Sequence, residues 1–272
     1  MGRLKKIVSV AVKYGFQDVA QRVKLQAYIL QKSESKEYSH LSLPQRVRMC
    51  FEELGPTFIK LGQLMATRPD VIPSDYIREF RILQDQVPPL AFSDIENVLE
   101  EQFPQGYKKV FSEFSEKAIG SASIAQVHRA RLMDGTAVVV KIQKPGISRI
   151  IEDDVRILHL LADLAETYIP ESKIFNPQGM VNEFARSMSL ETNFVVEANN
   201  IRRFQENFSN NDAVIIPTVY LEFSGPRVLV MEELKGLPIG NPKAFDQDDI
   251  SREEVMKAGL KAYFSMVFKD GL

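Results

Sequence analysis

The chain has 272 residues, of which 44% are hydrophobic and 26% charged, with 14 glycines and 14 prolines. These proportions exclude collagen-like and low-complexity chains and suffice for one large domain or two smaller ones. The net charge of −2 gives no general attraction to nucleic acid. A single cysteine, Cys50, excludes an internal disulfide and a thiolate zinc site, so we expect a buried thiol.

The amino-terminal segment is basic. Residues 1–33 hold seven basic residues and one acidic residue, so their charge is +6 and that of the remainder is −8. Apolar residues recur between the basic ones at near-helical spacing, which fits a helix on an anionic membrane surface or an amphipathic helix packed on the protein body. No apolar run is long enough to span a bilayer, and no secretory signal is evident. We therefore expect a protein of the cytoplasm or of an organelle matrix or stroma, not secreted, with a peripheral membrane position as one option.

Residues 40–108 carry helical patterns. Apolar residues spaced by three and four run from Gln45 to Thr67, and Gly55-Pro56 interrupts this series. Because proline removes a helical hydrogen bond, we expect a kink or two shorter helices there. Further short helices are predicted around Ser74–Gln84 and Ser93–Gln102.

After residue 108 the hydrophobic pattern favours strands. A sheet of about five strands, with helices inserted after the third strand, is typical of an α+β fold. The predicted strands are Lys109–Ser115, Ser123–Leu132, Thr136–Gln143, Val214–Leu221 and Arg227–Leu234, and the predicted helices are about Ser148–Tyr168, Pro177–Asn207 and Ser251–Lys269.

A lone lysine, Lys141, follows a loop of small residues and a strand–turn–strand pattern. The loop spans residues 118–125, and its small side chains would let backbone N–H groups approach an anion. Val139 and Lys141 share one face of their strand, because side chains alternate. An apolar wall beside a cation suits the base and phosphates of a nucleotide, although a plain hairpin with an exposed lysine has the same pattern. No G-x-x-x-x-G-K-[ST] motif is present, so this is not a P-loop.

A second charged cluster lies in the predicted helix that contains residues 190–200. Asn193 and Glu197 are four residues apart, so a continuous helix would place them on one face. Such residues commonly form a solvated helix face. The alternative is that Glu197 pairs with Lys141, as a helix carboxylate and a strand lysine do in protein kinases.

The order of four motifs resembles the UbiB/AarF family of atypical protein-kinase-like proteins. The motifs are F-E-E-L-G-P-T-F-I-K-L-G-Q-L-M-A-T-R (51–68), A-S-I-A-Q-V-H-R-A (122–130), V-K-I-Q-K-P-G-I (140–147) and V-L-V-M-E (228–232). The match runs from about residue 40 to the end. It implies a kinase-like amino-terminal lobe with a family-specific helical extension before it and only the start of a carboxy-terminal lobe after it. The implied domains are a basic helix region (1–39), the extension (40–108), the lobe (109–234), and a hinge with a first helix (235–272).

The resemblance implies a role for each matching residue. Lys141 would bind nucleotide phosphate and Glu197 would be its helix partner. The loop residues Ala122 and Ser123 would cover the phosphates, and Val139 would line the base pocket. Met231 would lie at the back of that pocket. The backbone of Glu232, Glu233 and Leu234 would form the hinge that binds adenine.

The resemblance also implies a regulatory element. In the family, the lysine and glutamine of K-x-G-Q, here Lys60 and Gln63, reach into the nucleotide site, meet acidic groups and obstruct a peptide substrate. The family's E-x-D pair is Glu191-Thr192-Asn193 in this chain. An asparagine lacks the negative charge of an aspartate, which argues against a metal-binding or electrostatic role at position 193.

The implied function is that of an ATP- or ADP-binding lobe of a UbiB-like kinase or ATPase that supports biosynthesis of ubiquinone or another isoprenoid quinone at a membrane. The family's H-x-D-x-H-x-x-N motif and a D-F-G motif are missing from these residues. We therefore expect a truncated chain with no catalytic residue and no certain metal ligand, and Mg²⁺ only in a full-length member. His128 fits a structural hydrogen bond better than a general base. The alternatives are a non-catalytic module for nucleotide or lipid, and a membrane scaffold that contacts an anionic surface or an isoprenoid lipid.

Overall fold

The computed structural model describes residues 2–22, 25, 38, 40–83, 88–237, 239–245 and 251–271. The chain forms two compact units that each combine separate stretches of sequence. Unit 1 comprises residues 1–94, 120–126 and 143–192, and unit 2 comprises residues 95–119, 127–142 and 193–272.

Unit 1 is built from helices. The interruption predicted at Gly55-Pro56 is confirmed, because one helix ends at Leu54 and the next begins at Pro56. Gly55 has a φ of 96°, which favours glycine, and proline fits the first position of a helix. The helices are α1 (Gly2–Lys13), α2 (Gln17–Arg22), α3 (Leu43–Leu54), α4 (Pro56–Met65), α5 (Ser74–Phe80), the start of α6 (Phe92–Gln102), α7 (Ile147–Tyr168) and α8 (Pro177–Glu191).

The apolar face of α1 packs inside unit 1. Leu4, Val8 and Val12 are buried there and pack with Ile157 and Leu161 of α7. Of the two interpretations of this segment, the structure therefore supports an amphipathic helix packed on the protein body. The later part of the basic segment, including Lys24 and Lys32, lies outside the described residues.

Most of the sheet belongs to unit 2. The strands β1 (Phe111–Ser121), β2 (Ala125–Leu132), β3 (Ala137–Gln143) and β4 (Val228–Glu232) lie side by side in that order. Strands β3 and β4 are antiparallel, with Lys141 opposite Leu229 and Val139 opposite Met231. Because side chains alternate, Val138, Val140 and Ile142 are fully buried on one face, while Val139 and Lys141 occupy the other.

The sheet has four strands rather than the expected five. The segment 214–221 runs beside β4 but forms only an isolated bridge, from Val219 to Met231. Two backbone hydrogen bonds hold it there, from the Tyr220 N–H to the Val230 carbonyl and from the Glu232 N–H to the Thr218 carbonyl. Pro217 interrupts the segment and has no N–H to donate to a ladder, which explains why no regular strand forms.

The helix predicted over Pro177–Asn207 is broken into α8 and α9 (Phe194–Asn207). Asn193 stands at the break with extended backbone, and its side chain accepts a hydrogen bond from the Val195 N–H. The prediction that Asn193 and Glu197 share a helix face is therefore wrong, because the asparagine caps the helix instead of continuing it. Unit 2 ends with α10 (Arg252–Ser265) and a π-helical turn (Met266–Asp270).

Candidate functional site

Lys141 and Glu197 form a close ion pair in unit 2. The Lys141 Nζ lies 2.8 Å from Glu197 Oε1 and 2.7 Å from Oε2. Strand β3 presents the lysine on its less buried face, and the first turn of α9 presents the carboxylate. Helix α9 is fixed to the sheet by a hydrogen bond from the Phe194 N–H to the Pro226 carbonyl and by the buried side chains of Phe194 and Ala198.

The Lys141 ammonium is oriented from a second side as well. Its Nζ lies 4.8 Å from the centre of the Phe194 ring, whose face attracts cations. The side chains of Lys141 and Glu197 are 24% and 34% exposed, so the pair can be reached from solvent. An ammonium has three N–H donors, and two of them point at Glu197. Among the described residues, the arrangement therefore presents an oriented cation with one donor left for a further anion.

The predicted hinge follows β4 directly. The Glu232 N–H donates to the Thr218 carbonyl, and the Glu233 N–H donates to the Ala137 carbonyl. The Glu233 carboxylate accepts from Arg129 Nε at 2.5 Å. In the part of the chain that the structure describes, the Leu234 N–H has no protein partner, and its side chain is 44% exposed. Leu234 is therefore the predicted hinge residue with a free donor.

The small-residue loop lies in unit 1, between β1 and β2. The Ala122 N–H donates to the Ala125 carbonyl at 2.8 Å, so this donor is used within the loop. Ala122 is exposed, whereas Ser123 is 2% exposed. Among the described residues the buried hydroxyls of Ser121 and Ser123 have no hydrogen-bond partner. Their predicted position over nucleotide phosphates stays a prediction.

The K-x-G-Q segment lies on α4 in unit 1. The Lys60 Nζ is 2.7 Å from Glu191 Oε1, at the end of α8. Gln63 donates through Nε2 to the Leu83 carbonyl at 3.1 Å, so within the described ranges its partner is a backbone carbonyl and not the acidic group that the resemblance implies. A Cβ on Gly62 would collide with the Leu83 side chain and lie 2.9 Å from Phe51 Cδ2. The glycine thus permits the close packing of α4.

Glu191-Thr192-Asn193 has no metal-binding geometry. The Thr192 carbonyl accepts from Gln143 Nε2 at 2.8 Å, and the Asn193 side chain caps α9. Across the described ranges, no group of three or more His, Cys, Asp or Glu side chains could hold a metal ion. We assign none of the described residues to Mg²⁺.

His128 and Cys50 are both buried in the structure. His128 is fully buried, and its Nδ1 lies 2.8 Å from the Ser115 carbonyl, which confirms the predicted structural hydrogen bond. Burial lowers the pKa of this imidazole. Cys50 is also buried, as predicted, and burial raises the pKa of its thiol to about 12.

The sequence did not predict two of the contacts seen in the structure. The first is the contact between the Phe194 ring and the Lys141 ammonium. Phe194 precedes Glu197 by three residues, and this helical spacing could have predicted that both side chains face Lys141. Arg3 pairs with the fully buried Asp154, with Nε 2.5 Å from Oδ1. No local sequence pattern predicts this ion pair, because Arg3 and Asp154 are 151 positions apart.

No helix in the described ranges is both long and apolar enough to cross a membrane.

Residues 82–272 match the ABC1 atypical kinase-like domain family. The chain is 38% identical over 271 residues to a protein of Clostridium pasteurianum named "Uncharacterized protein in hydrogenase 1 5'region", covering 99% of this chain and 48% of that protein. It is 36% identical over 236 residues to a "Probable protein kinase UbiB" of Aeromonas salmonicida, covering 86% of this chain and 43% of that protein. The chain thus spans about half the length of the curated relatives it matches.

A solved structure is similar as well. The complex of Rv3197 with erythromycin from Mycobacterium tuberculosis matches with a TM-score of 0.50 and 29% identity, over 69% of this chain and 47% of that one. Together with the sheet and its inserted helices, this match confirms the predicted α+β fold with a kinase-like amino-terminal lobe.

Proposed function

Because the chain belongs to the UbiB/AarF family and carries its atypical kinase-like domain, we propose that unit 2 binds an adenine nucleotide, ATP or ADP, at Lys141. The observation that carries the proposal is the pair of contacts, 2.7 and 2.8 Å long, between the Lys141 ammonium and both Glu197 oxygens. A carboxylate that orients a strand lysine toward phosphate is the arrangement of protein kinases.

The remaining predicted residues complete the proposed site. Val139 and Met231 lie opposite each other on β3 and β4, where they would form the wall and back of the base pocket. Because the N–H groups of Glu232 and Glu233 already donate within the protein, we assign the donor to adenine to Leu234. The family resemblance alone supports Ala122 and Ser123 as the residues that cover the phosphates.

We assign a regulatory role to the K-x-G-Q segment. The Lys60–Glu191 ion pair ties α4 to the end of α8, and Gln63 ties α4 to Leu83. The family resemblance supports Lys60, Gln63 and Glu191 as the elements that limit access of a peptide substrate. Asn193 replaces the second acidic residue of the family's E-x-D pair, and its capping bond gives it a structural role in this chain.

The wider role rests on the family alone. We propose that the protein supports the biosynthesis of ubiquinone or another isoprenoid quinone, at the periphery of a membrane, since relatives are named "Probable protein kinase UbiB". Mg²⁺ would accompany the nucleotide only in a full-length family member, and no nucleic acid is implied. The division into segments 1–39, 40–108, 109–234 and 235–272 is part of the same proposal.

The proposal is tested by calorimetric titration of ADP and ATP into the chain. Lys141→Met and Glu197→Gln remove the two members of the pair, and Lys117→Met on the exposed part of β1 is the matched control. A charge-assisted hydrogen bond contributes about 1.5–3 kcal/mol, so Lys141→Met should weaken nucleotide binding by about tenfold or more. Glu197→Gln should weaken it as well, and Lys117→Met should bind like the original chain. Equal affinities for Lys141→Met and Lys117→Met, with native circular dichroism spectra, would contradict the assignment.

A further inference from the structure

We propose that unit 1 contains a second ligand site, independent of the nucleotide: an apolar cavity that takes the aliphatic chain of a free medium-chain fatty acid, with Arg46 binding its carboxylate. The cavity has a volume of about 310 Å³ and lies among α1, α2, α3 and α7. Among the described residues, all those that line it are Ala, Val, Ile, Leu, Phe or Cys.

The cavity exists because small side chains occupy three of its walls. Ala11, Ala20 and Ala165 come from α1, α2 and α7, respectively, and each leaves space that a larger residue would fill. Val19, at the cavity, is 50% exposed, so the space is open to solvent on that side. Well-packed cores contain few voids larger than a water molecule, so an apolar space of this size is a feature to explain.

The volume sets the size of the ligand. An apolar cavity of about 150 Å³ stays dry and binds benzene, which has six carbons. On that scale the cavity of about 310 Å³ holds about twelve carbons. In the described part of the lining, the thiol of Cys50 is the one polar group, and its raised pKa keeps it neutral. The buried part of the ligand is therefore a hydrocarbon chain.

Arg46 supplies the polar end of the site. Its guanidinium carbon lies 5.6 Å from the centre of the Phe16 ring, which lines the cavity, and its neighbour Val47 lines it too. One terminal nitrogen donates to the Tyr14 carbonyl at 3.2 Å. The Arg46 Nε is buried and has no hydrogen-bond partner among the described residues.

The Arg46 side chain as a whole is partly exposed, but its buried Nε–H is a donor without a described partner, which is costly. A carboxylate is the partner that a guanidinium fits best. The nearby Glu53 carboxylate does not fill this role, because it accepts from Lys13 Nζ at 2.7 Å and from the Tyr14 hydroxyl at 2.8 Å. An amphiphile with an anionic head would satisfy Arg46 while its chain fills the cavity. This charge complementarity favours a fatty acid over a neutral lipid.

The chain length and the head group can be tested separately by calorimetry on the whole chain, below the micelle concentration of each ligand. Octanoate, dodecanoate and hexadecanoate probe the volume, and dodecan-1-ol probes the head group. Each buried methylene strengthens binding about fourfold, so dodecanoate should bind more than about a hundredfold tighter than octanoate. Hexadecanoate should gain little more, because a chain of about twelve carbons already fills the cavity.

Two variants locate the site. Arg46→Gln should weaken dodecanoate about tenfold and leave dodecan-1-ol unchanged, while Arg156→Gln on the exposed face of α7 should change neither. Ala165→Phe should abolish binding of both ligands, and Ala213→Phe at an exposed position should abolish neither. If Ala165→Phe does not fold, Arg46→Gln decides on its own. Absent dodecanoate binding, an affinity that keeps rising to hexadecanoate, or equal losses for acid and alcohol in Arg46→Gln would overturn the proposal.

Discussion

Removal of Arg3 alone should destabilise unit 1, because it leaves the buried Asp154 carboxylate without its ion-pair partner. Arg3 Nε lies 2.5 Å from Asp154 Oδ1 and Nη2 lies 2.7 Å from Oδ2, and Nη2 also donates to the Leu54 carbonyl at 2.8 Å. Asp154 is fully buried on α7, whereas the Arg3 side chain is 23% exposed. Removal of one partner of a buried pair costs about 3–5 kcal/mol. Because water can reach the arginine end, we expect Arg3→Met to lower the free energy of unfolding by about 2–3 kcal/mol.

Urea unfolding followed by circular dichroism measures this loss. The matched control is Arg156→Met, two residues along α7 from Asp154, because the Arg156 side chain is 74% exposed and its ion pairs lie at the surface. Exposed pairs contribute about 0–1 kcal/mol, so the control should change little. The double variant Arg3→Met/Asp154→Leu should recover much of the loss, because no buried charge is left unpaired. Equal unfolding free energies for Arg3→Met and Arg156→Met would refute the reasoning.

Three further predictions concern buried residues. Gly62→Ala should lower the free energy of unfolding by about 1–3 kcal/mol, because the new methyl group collides with Leu83 and Phe51. The control is Gly120→Ala, where the structure leaves open space for a methyl group. A loss for Gly62→Ala no larger than that for Gly120→Ala would contradict this prediction. The pKa of Cys50 is raised to about 12, so its thiol should react with iodoacetamide at pH 8 at least about a hundredfold more slowly in the folded chain than in urea. Mass spectrometry measures both reaction rates. Similar rates in the folded and the unfolded chain would contradict the burial of Cys50. Because burial lowers the pKa of His128, the unfolded chain binds its proton more readily, so stability should fall as pH drops below about 6.5. Urea titrations should show a flatter decline for His128→Asn, and a decline as steep as that of the original chain would contradict this.

Local signals in the sequence predicted much of the fold. Gly55-Pro56 marks the boundary between α3 and α4, because proline fits a helix start and glycine adopts the positive φ of 96° that precedes it. The alternation of Val138, Val140 and Ile142 with Val139 and Lys141 predicted β3 and its two faces. The likeness to kinases suggested Glu197 as the partner of Lys141, and the structure places the two side chains in contact.

Two kinds of feature could not be predicted from the sequence. In the first, a side chain competes with the backbone for a hydrogen bond, and in the second, the feature depends on packing between distant residues. Asn193 has an ordinary helical spacing to Glu197, but its side chain binds the Val195 N–H and starts a new helix. The segment 214–221 has strand-like residues, yet Pro217 removes a donor and leaves one bridge. The cavity arises from three alanines on three helices, and no single stretch of sequence shows that they face one space.

The most direct test of the central proposal is to find which lysine lies beside the nucleotide phosphates. An acyl-phosphate derivative of ATP transfers its acyl group to a lysine at the phosphates, and peptide mass spectrometry identifies the modified residue. We expect modification of Lys141 that excess ATP suppresses. Modification of surface lysines alone, or modification of Lys141 that ATP does not change, would contradict a nucleotide site at the Lys141–Glu197 pair.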